Sequence, residues 1–234
     1  MKINSTQLLS AYEQARVYAA TEPEAAAAFT PLAQLFEDKK QKPDACIMVY
    51  GVYNAGKSTL INVLLGREAA AMDDVPLTDQ VTAYAWGKYN ILDTPGVDAP
   101  IAHEDVTNAQ MLKADVVIFV VDPLGTVEEA KTLEVLVDLL AARKKVFMVF
   151  NEKKELSEED YIKLKDQTRE QLQRIAMQRG MSDILMDVPI VKINAKRALQ
   201  GQLKGQPKLV ELSGYPTLEN QLTEFLDGIS PDDV

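Results

Sequence analysis

Residues 51–58 read Gly51-Val52-Tyr53-Asn54-Ala55-Gly56-Lys57-Ser58 and fit the pattern G-x-x-x-x-G-K-S. An apolar run over 45–50 precedes this stretch, and a helical pattern over 57–65 comes after it. Glycines let the backbone wrap closely around a phosphate, and the N–H groups at the start of a helix attract its negative charge. Because the motif lies between a strand and a helix, it predicts a phosphate-binding loop rather than a chance glycine turn.

The side chains of this loop have separate expected roles. Lys57 is expected to reach the β- and γ-phosphates of a nucleotide, and Ser58 is expected to ligate Mg²⁺. The other residues expected to surround the phosphates are Gly51, Asn54, Ala55, Gly56 and Thr59. The loop therefore predicts a nucleotide site that includes a divalent metal ion.

Further apolar runs have the continuous character of strands buried on both faces of a parallel sheet. They are 45–50, 115–121, 145–150 and 189–193, and two shorter strands, 81–86 and 89–92, meet at Gly87-Lys88. Helical patterns cover 57–65, 127–143, 158–179 and 217–226. This alternation predicts an α/β fold with a mostly parallel, six-stranded, doubly wound sheet that includes one antiparallel hairpin strand.

Residues 1–42 differ in character from the rest of the chain and predict a separate N-terminal helical segment, with the main domain over 43–234. Apolar residues fall at helical spacing in two stripes, which contain Leu8, Leu9, Tyr12 and Ala15, and then Phe29, Leu32, Leu35 and Phe36. Pro31 lies inside the second stripe and predicts either a break in the helix or a helix start at that point.

Composition narrows the classes of function. The 35 acidic and 25 basic residues give a net charge of −10, which argues against a broad nucleic-acid surface, since such a surface needs clustered Lys and Arg. The single cysteine, Cys46, cannot form an intramolecular disulfide, and the first residues lack the apolar stretch of a signal peptide. The longest strongly apolar run, 116–121, is too short to cross a bilayer. We therefore expect a cytoplasmic protein that does not bind nucleic acid directly.

A second motif, Asp93-Thr94-Pro95-Gly96, comes directly after the apolar run over 89–92. A carboxylate at the end of a strand in the same sheet can hold Mg²⁺, usually through water, so Asp93 is a predicted metal residue. Gly96 is expected to offer its N–H to the γ-phosphate and to act as a hinge. Alone the motif is equally typical of an ordinary turn, but together with the phosphate loop it indicates a nucleoside-triphosphate site.

Taken together, residues 56–62 (Gly-Lys-Ser-Thr-Leu-Ile-Asn), Gly66-Arg67-Glu68 and 93–96 resemble the translation-factor-related class of P-loop GTPases. Within that class the likeness is to the Era/MnmE group and the bacterial dynamin-like proteins, and it covers about residues 45–228. The resemblance implies a G domain that hydrolyses GTP to GDP and phosphate as a Mg²⁺-dependent molecular switch, with slow intrinsic turnover. It also implies a nucleotide-dependent homodimer, and membrane association only through parts outside this chain.

The resemblance further implies residues that respond to the γ-phosphate. Thr78 matches the switch I threonine that covers Mg²⁺ in the triphosphate state, and Thr82 is the alternative. The alternative is that either threonine is only a strand-forming residue that leads into 81–86.

Val97 occupies the position where some relatives carry a water-orienting glutamine, so another group must orient the water. The sole histidine, His103, is expected to be a surface or helix-start residue.

Asn54 carries a separate implication for catalysis. In the Era/MnmE group, an asparagine at this place in the loop marks enzymes that bind K⁺ beside the phosphates, where other GTPases insert an arginine finger. The alternative is that Asn54 only hydrogen-bonds the backbone of its own turn. The predicted catalytic residues are thus Lys57, Thr78, Gly96 and Asn54.

The base-recognition elements are less regular. Residues 194–196, Asn194-Ala195-Lys196, resemble the Ser/Thr-Ala-Lys loop that contacts guanine in the family. The family's other guanine element, Asn-Lys-x-Asp, corresponds here to Asn151-Glu152-Lys153-Lys154-Glu155. Asn151 fits, but Lys154 occupies the aspartate position and cannot accept hydrogen bonds from guanine. A one-residue bulge would give the lysine and aspartate roles to Lys153 and Glu155, and the sequence leaves this register open.

Three functions remain open on the sequence alone. The first is a GTP hydrolase switch, in which water attacks the γ-phosphate in line. The second is a module that holds nucleotide without turning it over, which Val97 and the altered 151–155 segment suggest. The third is hydrolysis of ATP, because the guanine motif is degenerate.

Overall fold

In this computed structural model, the described residues are 5–41, 46–51, 54–70, 82–93, 114–124, 130–181 and 188–229. The chain divides into two units, Met1–Asp44 with Ile229–Val234, and Ala45–Gly228. The larger unit spans every predicted site residue, including those in the segments between the described ranges.

The larger unit is built on one sheet. Its strands are Cys46–Gly51 (β1), Thr82–Trp86 (β2), Tyr89–Asp93 (β3), Val116–Val121 (β4), Lys145–Asn151 (β5) and Ile190–Ile193 (β6). They lie in the order β2-β3-β1-β4-β5-β6, and only the β2–β3 pair is antiparallel. The predicted fold, a mostly parallel six-stranded sheet with one antiparallel hairpin strand, is confirmed.

The central strands are buried on both faces, as their continuous apolar sequences predict. Every residue of β4 is buried, and so are all residues of β1 and β5 except the first of each. Phe119, Phe147 and Phe150 are among the largest fully buried side chains. Because helices cover both faces of a parallel sheet, such strands need no polar face.

Helices surround this sheet. They are Lys57–Leu65 (α3), Ala130–Ala141 (α4), Glu158–Gln178 (α5), Ala195–Leu203 (α6), Pro207–Leu212 (α7) and Tyr215–Asp227 (α8), numbered after two N-terminal helices, Ser5–Ala19 (α1) and Pro23–Gln41 (α2). None of the helices in the described ranges is long and apolar enough to cross a membrane.

Helices α6 and α7 were not predicted from the sequence, because small residues mediate their contact. A Cβ added to Gly201 of α6 would come 2.8 Å from Cγ2 of Val210 and 2.9 Å from its backbone nitrogen. The buried residues of α6 include Ala195, Ala198 and Gly201, so the helix lacks the stripe of large apolar residues by which helices are recognised.

Helices α5 and α8 agree with their predictions. The Ser157 hydroxyl accepts a hydrogen bond from the Asp160 N–H at 3.1 Å and caps α5, while Gly180 has a φ of +70° just beyond the helix. In α8, Leu218, Leu222 and Leu226 are buried. Between the last two, Phe225 packs on Phe147 of β5, with ring centroids 5.4 Å apart.

In the smaller unit, α2 continues through Pro31, so the predicted break is wrong. The proline ring removes the N–H that would bond the Ala27 carbonyl four residues earlier. Packing on both sides of the proline favours the continuous helix: Tyr12 of α1 contacts Phe29, and it stacks on Phe36 with ring centroids 4.1 Å apart.

Candidate functional site

The carboxyl ends of β1 and β3 lie side by side, next to the start of α3. Val49 pairs with Asp93 in the parallel β1–β3 ladder, so the end of β3 lies beside the segment that leads into Gly51. Lys57 is the first residue of α3. The topology thus brings the predicted phosphate loop and the predicted metal carboxylate to one edge of the sheet, where open α/β folds bind ligands.

Gly51 ends β1 in close contact with β4. Its φ is +154°, and a Cβ added to it would overlap the Val120 carbonyl oxygen and lie 3.0 Å from the Val120 carbonyl carbon. Only glycine therefore allows the chain to leave β1 at this position without moving β4.

Lys57 is a buried cation whose side chain turns toward the start of its own loop. Its Nζ donates to the Gly51 carbonyl oxygen at 3.2 Å, and the residue is only 9% exposed. Gly56, with a φ of +88°, directly precedes it and begins the helix. The ammonium group is therefore held inside the loop that is predicted to surround phosphates.

Asn54 has a left-handed backbone with a φ of +62° and is exposed. Asparagine adopts this conformation more readily than most residues, because its short side chain bonds locally. The turn geometry thus explains a preference for asparagine by itself, and it also leaves the Asn54 amide at the surface of the loop, where it could meet a ligand.

The Asn151 side chain joins the two predicted parts of the nucleotide site. Its Nδ2 donates to the Ala55 carbonyl at 2.8 Å, and its Oδ1 accepts from the Ala195 N–H at 3.0 Å. A Cβ added to Gly56 would overlap Asn151 Nδ2, so the glycine is also required for this approach. One buried amide therefore fixes the phosphate loop relative to the start of α6.

The oxygen donors at this edge suit Mg²⁺. Asp93 is buried at the end of β3, and Ser58 lies in the first turn of α3. Burial raises the pKa of the Tyr84 phenol, and the negative charge of Asp93 raises it further. No group of three or more His, Cys, Asp or Glu side chains forms a metal cluster in the described part of the chain. In phosphate sites, Mg²⁺ takes one or two protein oxygens and completes its shell with water and phosphate, and Ser58 and Asp93 offer such oxygens.

The loop after β5 is held by contacts of Glu152 and Lys153. The Glu152 carboxylate is buried and accepts the Leu156 N–H at 3.0 Å, while the Glu152 N–H donates to the Ile193 carbonyl at 2.8 Å. Lys153 is exposed, and its Nζ lies 3.3 Å from Asp122 Oδ2, just beyond β4. Glu152 thus closes its own loop, and Lys153 extends toward the β4 side.

Residues 194–196 form the start of α6. The Asn194 side-chain oxygen accepts the Arg197 N–H at 2.9 Å and caps the helix. Ala195 is fully buried beneath it, and Lys196 is exposed. Of the predicted base-contacting residues, Asn151 and Ala195 are in direct contact.

Several predicted residues lie outside the described ranges. They are Thr78, Gly96, Val97 and His103. The alternative switch residue, Thr82, is exposed on β2 and pairs with Asp93 in the antiparallel ladder. This pairing keeps Thr82 close to the end of β3.

Asn62 was predicted only as part of the family motif, and its contacts show a structural task. It is fully buried in α3; its Nδ2 donates to the Ala70 carbonyl at 2.9 Å, and its Oδ1 accepts the N–H groups of Ala69 and Ala70. In the sequence, the signal for this structural role was a single polar side chain among the apolar residues Leu60, Ile61 and Val63. It fixes the segment that comes after α3, immediately before residue 71.

Residues 46–152 match a family model described as 50S ribosome-binding GTPase. The matched range runs from the first strand through the phosphate loop and Asp93 to the end of β5, and it includes Asn151. It therefore contains Lys57, Asp93 and Asn151, whereas Ala195 lies beyond it.

Known relatives match longer stretches of the chain. An uncharacterised protein of Acinetobacter baylyi is 26% identical over 190 residues, which are 78% of this chain and 42% of that protein. GTPase Der of Clostridium tetani is 34% identical over 127 residues, which are 49% of this chain and 28% of Der. The chain spans less than half the length of these two relatives.

Solved structures share the fold. A protein of an oligomerised bacterial dynamin pair, described as a mechanism for long-range sensing and tethering of membranes, matches with a TM-score of 0.66 at 19% identity. The match covers 92% of this chain and 42% of that one. At this identity the likeness concerns the fold alone.

Proposed function

We propose that this chain contains a GTPase G domain of the translation-factor-related or dynamin-like class, and that it binds GTP with Mg²⁺ and hydrolyses it to GDP and phosphate as a molecular switch. The observation that carries the proposal is the Asn151 bridge between Ala55 and Ala195. Through this one side chain, the loop 51–58, which is suited to phosphates, is joined to the loop 194–196, which is suited to a base.

Each residue has a stated part in this proposal. Lys57 and the loop N–H groups bind the β- and γ-phosphates and neutralise charge as it develops on the leaving and transferring groups. Ser58, Asp93 and Thr78 would hold Mg²⁺, which supplies further positive charge at the phosphates when bound. Gly96 offers its N–H to the γ-phosphate. Because the catalysis consists of positioning and charge neutralisation, we expect slow turnover without a partner.

The direct test is product analysis by liquid chromatography with GTP and ATP, each in Mg²⁺ and in EDTA. GTP is expected to give GDP at a rate on the order of 10⁻³ s⁻¹ or below, only with Mg²⁺. Consumption of ATP in place of GTP would identify an ATP hydrolase. Bound but unconverted GTP would identify a binding module.

In the same assay, Thr78→Ala is expected to slow GTP hydrolysis while GDP affinity stays near the wild-type value. The reason is that the proposed contact of Thr78 with the metal depends on the γ-phosphate. Thr82→Ala is the matched control, because Thr82 is exposed on β2. If the two variants exchange behaviour, Thr82 is the switch residue.

Potassium is part of the proposal, with Asn54 as its ligand in the loop. The Asn54 residue, with a φ of +62°, is exposed on the turn. A monovalent cation beside the phosphates would supply positive charge where other GTPases insert an arginine finger.

The proposed function includes three further points. We propose a nucleotide-dependent homodimer, a cytoplasmic location, and a division of the chain into a helical segment, 1–42, and the G domain, 43–234.

The potassium proposal predicts hydrolysis that is faster in KCl than in NaCl at equal ionic strength, by about tenfold or more. Asn54→Gly is expected to remove this stimulation. Glycine adopts the left-handed turn without strain, whereas Asn54→Ala adds about 1–2 kcal/mol of backbone cost. Equal rates in both salts, or a stimulation that survives in Asn54→Gly, would discard K⁺ as a cofactor.

A further inference from the structure

The end of α3 is organised by one buried residue, Asn62. Its side-chain oxygen accepts the Ala69 and Ala70 N–H groups at 2.8 and 2.7 Å, and its Nδ2 donates to the Ala70 carbonyl at 2.9 Å. Its main-chain carbonyl accepts two further N–H groups, those of Gly66 and Arg67. Asn62 thus holds the chain in a fixed path from the end of the helix to Ala70.

The side chain of Asn62 has no substitute among apolar residues. It is fully buried, and Ala70 is only 4% exposed. An amide accepts at its oxygen and donates at its nitrogen, which is the combination that these main-chain groups require. Without it, the Ala70 N–H and carbonyl would be left unpaired in a buried place. The position of Ala70 therefore depends on the Asn62 amide.

A strand of the sheet contacts the same stretch. The Tyr84 hydroxyl of β2 donates to the Ala69 carbonyl at 3.4 Å, which is long for a hydrogen bond between oxygens and therefore weak. Tyr84 lies two positions along β2 from Thr82, which pairs with Asp93 in the antiparallel ladder. The stretch that Asn62 holds is thus also linked to the strand beside the predicted metal carboxylate.

These contacts lie at the two ends of the segment 71–81, because Ala70 precedes it and Thr82 follows it in the chain. The proposed switch residue, Thr78, belongs to this segment. The free energy needed to bring one residue of a loop to a fixed point depends on where the ends of the loop are held. When each end has one position, fewer conformations must be lost before the threonine reaches the metal.

We propose that Asn62 is a positioning residue for the triphosphate state of the site. By fixing Ala69 and Ala70, it raises the fraction of molecules in which Thr78 meets Mg²⁺ and the γ-phosphate. The inference rests on the proposed function, because it requires that the chain bind GTP with Mg²⁺. If Asn62 served the fold alone, its loss would lower the melting temperature and would weaken the binding of diphosphate and triphosphate alike.

The test is the affinity of the purified chain for GDP and for the non-hydrolysable analogue GMPPNP, measured by calorimetry in Mg²⁺ and in EDTA. In Mg²⁺, Asn62→Ala is expected to weaken GMPPNP binding by about tenfold, which corresponds to a competent fraction about tenfold smaller. GDP affinity is expected to stay within about twofold of wild type, because GDP lacks the γ-phosphate on which the Thr78 contact depends. In EDTA, the variant and wild type are expected to bind GMPPNP alike.

A double variant decides whether the effect passes through Thr78. If Asn62 acts by positioning that threonine, Asn62→Ala has no further effect on GMPPNP affinity once Thr78→Ala is present. Losses that add in the double variant would overturn the proposal, since the two residues would then act independently. The rate of GTP hydrolysis in the same proteins is expected to follow the same pattern.

Leu172→Ala is the control for lost stability. Leu172 is buried in α5, and its truncation is expected to lower the melting temperature by several degrees, as the loss of the Asn62 amide does. The ratio of GMPPNP to GDP affinity is expected to stay at the wild-type value in this control. If Leu172→Ala shifts the ratio as Asn62→Ala does, destabilisation explains the effect and the proposal is wrong.

Tyr84→Phe keeps the test decisive if Asn62→Ala does not fold. It removes only the hydroxyl at Ala69 and is expected to weaken GMPPNP binding by about two- to threefold, with GDP unchanged. An unchanged ratio in Tyr84→Phe, without a folded Asn62→Ala, would overturn the proposal. If Asn62→Ala weakens both nucleotides equally, this inference fails while nucleotide binding stands. If wild type binds neither nucleotide, the proposed function fails and this inference fails with it.

Discussion

Lys57→Ala is expected to abolish detectable binding of GTP and GDP while the chain stays folded. Lys57 is the buried cation of the loop, held by the Gly51 carbonyl. Charge-assisted contacts to two phosphates are lost together, which corresponds to a drop in affinity on the order of 10³. Because no large apolar side chain is removed, the melting temperature is expected to stay within a few degrees of wild type. Isothermal titration calorimetry and thermal melting measure the two quantities.

Two variants separate charge from packing in this experiment. Lys57→Met keeps the buried stem and is expected to lose nucleotide as completely as Lys57→Ala. Lys208→Ala removes an exposed lysine of α7 and is expected to bind as wild type does. Unchanged affinity in both Lys57 variants would show that the loop 51–58 does not bind the phosphates.

Gly51→Ala is expected to destabilise the G domain by about 3 kcal/mol or more, and to lose nucleotide binding. The added methyl group overlaps the carbonyl oxygen of Val120, which is main chain and cannot rotate away. Relief requires β1 and β4 to separate at the centre of the sheet. Urea unfolding monitored by circular dichroism measures the loss of stability.

Gly205→Ala is the control for backbone strain alone. Its φ is +60°, and an added Cβ meets nothing within 4 Å. It is expected to cost about 1–2 kcal/mol, the penalty of a left-handed alanine. If both substitutions lower the free energy of unfolding by the same amount, the overlap with Val120 contributes nothing to the destabilisation. The backbone dihedral angle of Gly51 would then explain the whole loss.

The sheet could be predicted from the sequence because its signals are local. Uninterrupted apolar runs predicted β1, β4 and β5 to within one residue, and Gly87-Lys88 predicted the β2–β3 turn. The motif G-x-x-x-x-G-K-S has a fixed spacing between a strand and a helix, so residues 51–58 are predicted as one phosphate-binding unit. The alternation of strands and helices predicted the mostly parallel sheet, which the observed strand pairing confirms.

The features that could not be predicted depend on contacts between distant residues. The bond from Asn151 to Ala55 spans 96 positions, and the register of 152–156 depends on where Arg197 and Asp122 lie. Composition provides no measure of such distances. Helices α6 and α7 were missed for a related reason, since glycine and alanine contribute little to an apolar periodicity even when they form the contact.

The amide of Asn151 restricts how this site can be modified by engineering. It donates at one end and accepts at the other, so aspartate would set a carboxylate against the Ala55 carbonyl, and leucine would satisfy neither partner. A phosphate loop transplanted from another protein would therefore need a matching residue 151 and a glycine at 56. The loop 51–58 and residue 151 must therefore be exchanged together. A chimaera whose junction lies between residues 58 and 151 would take them from different proteins.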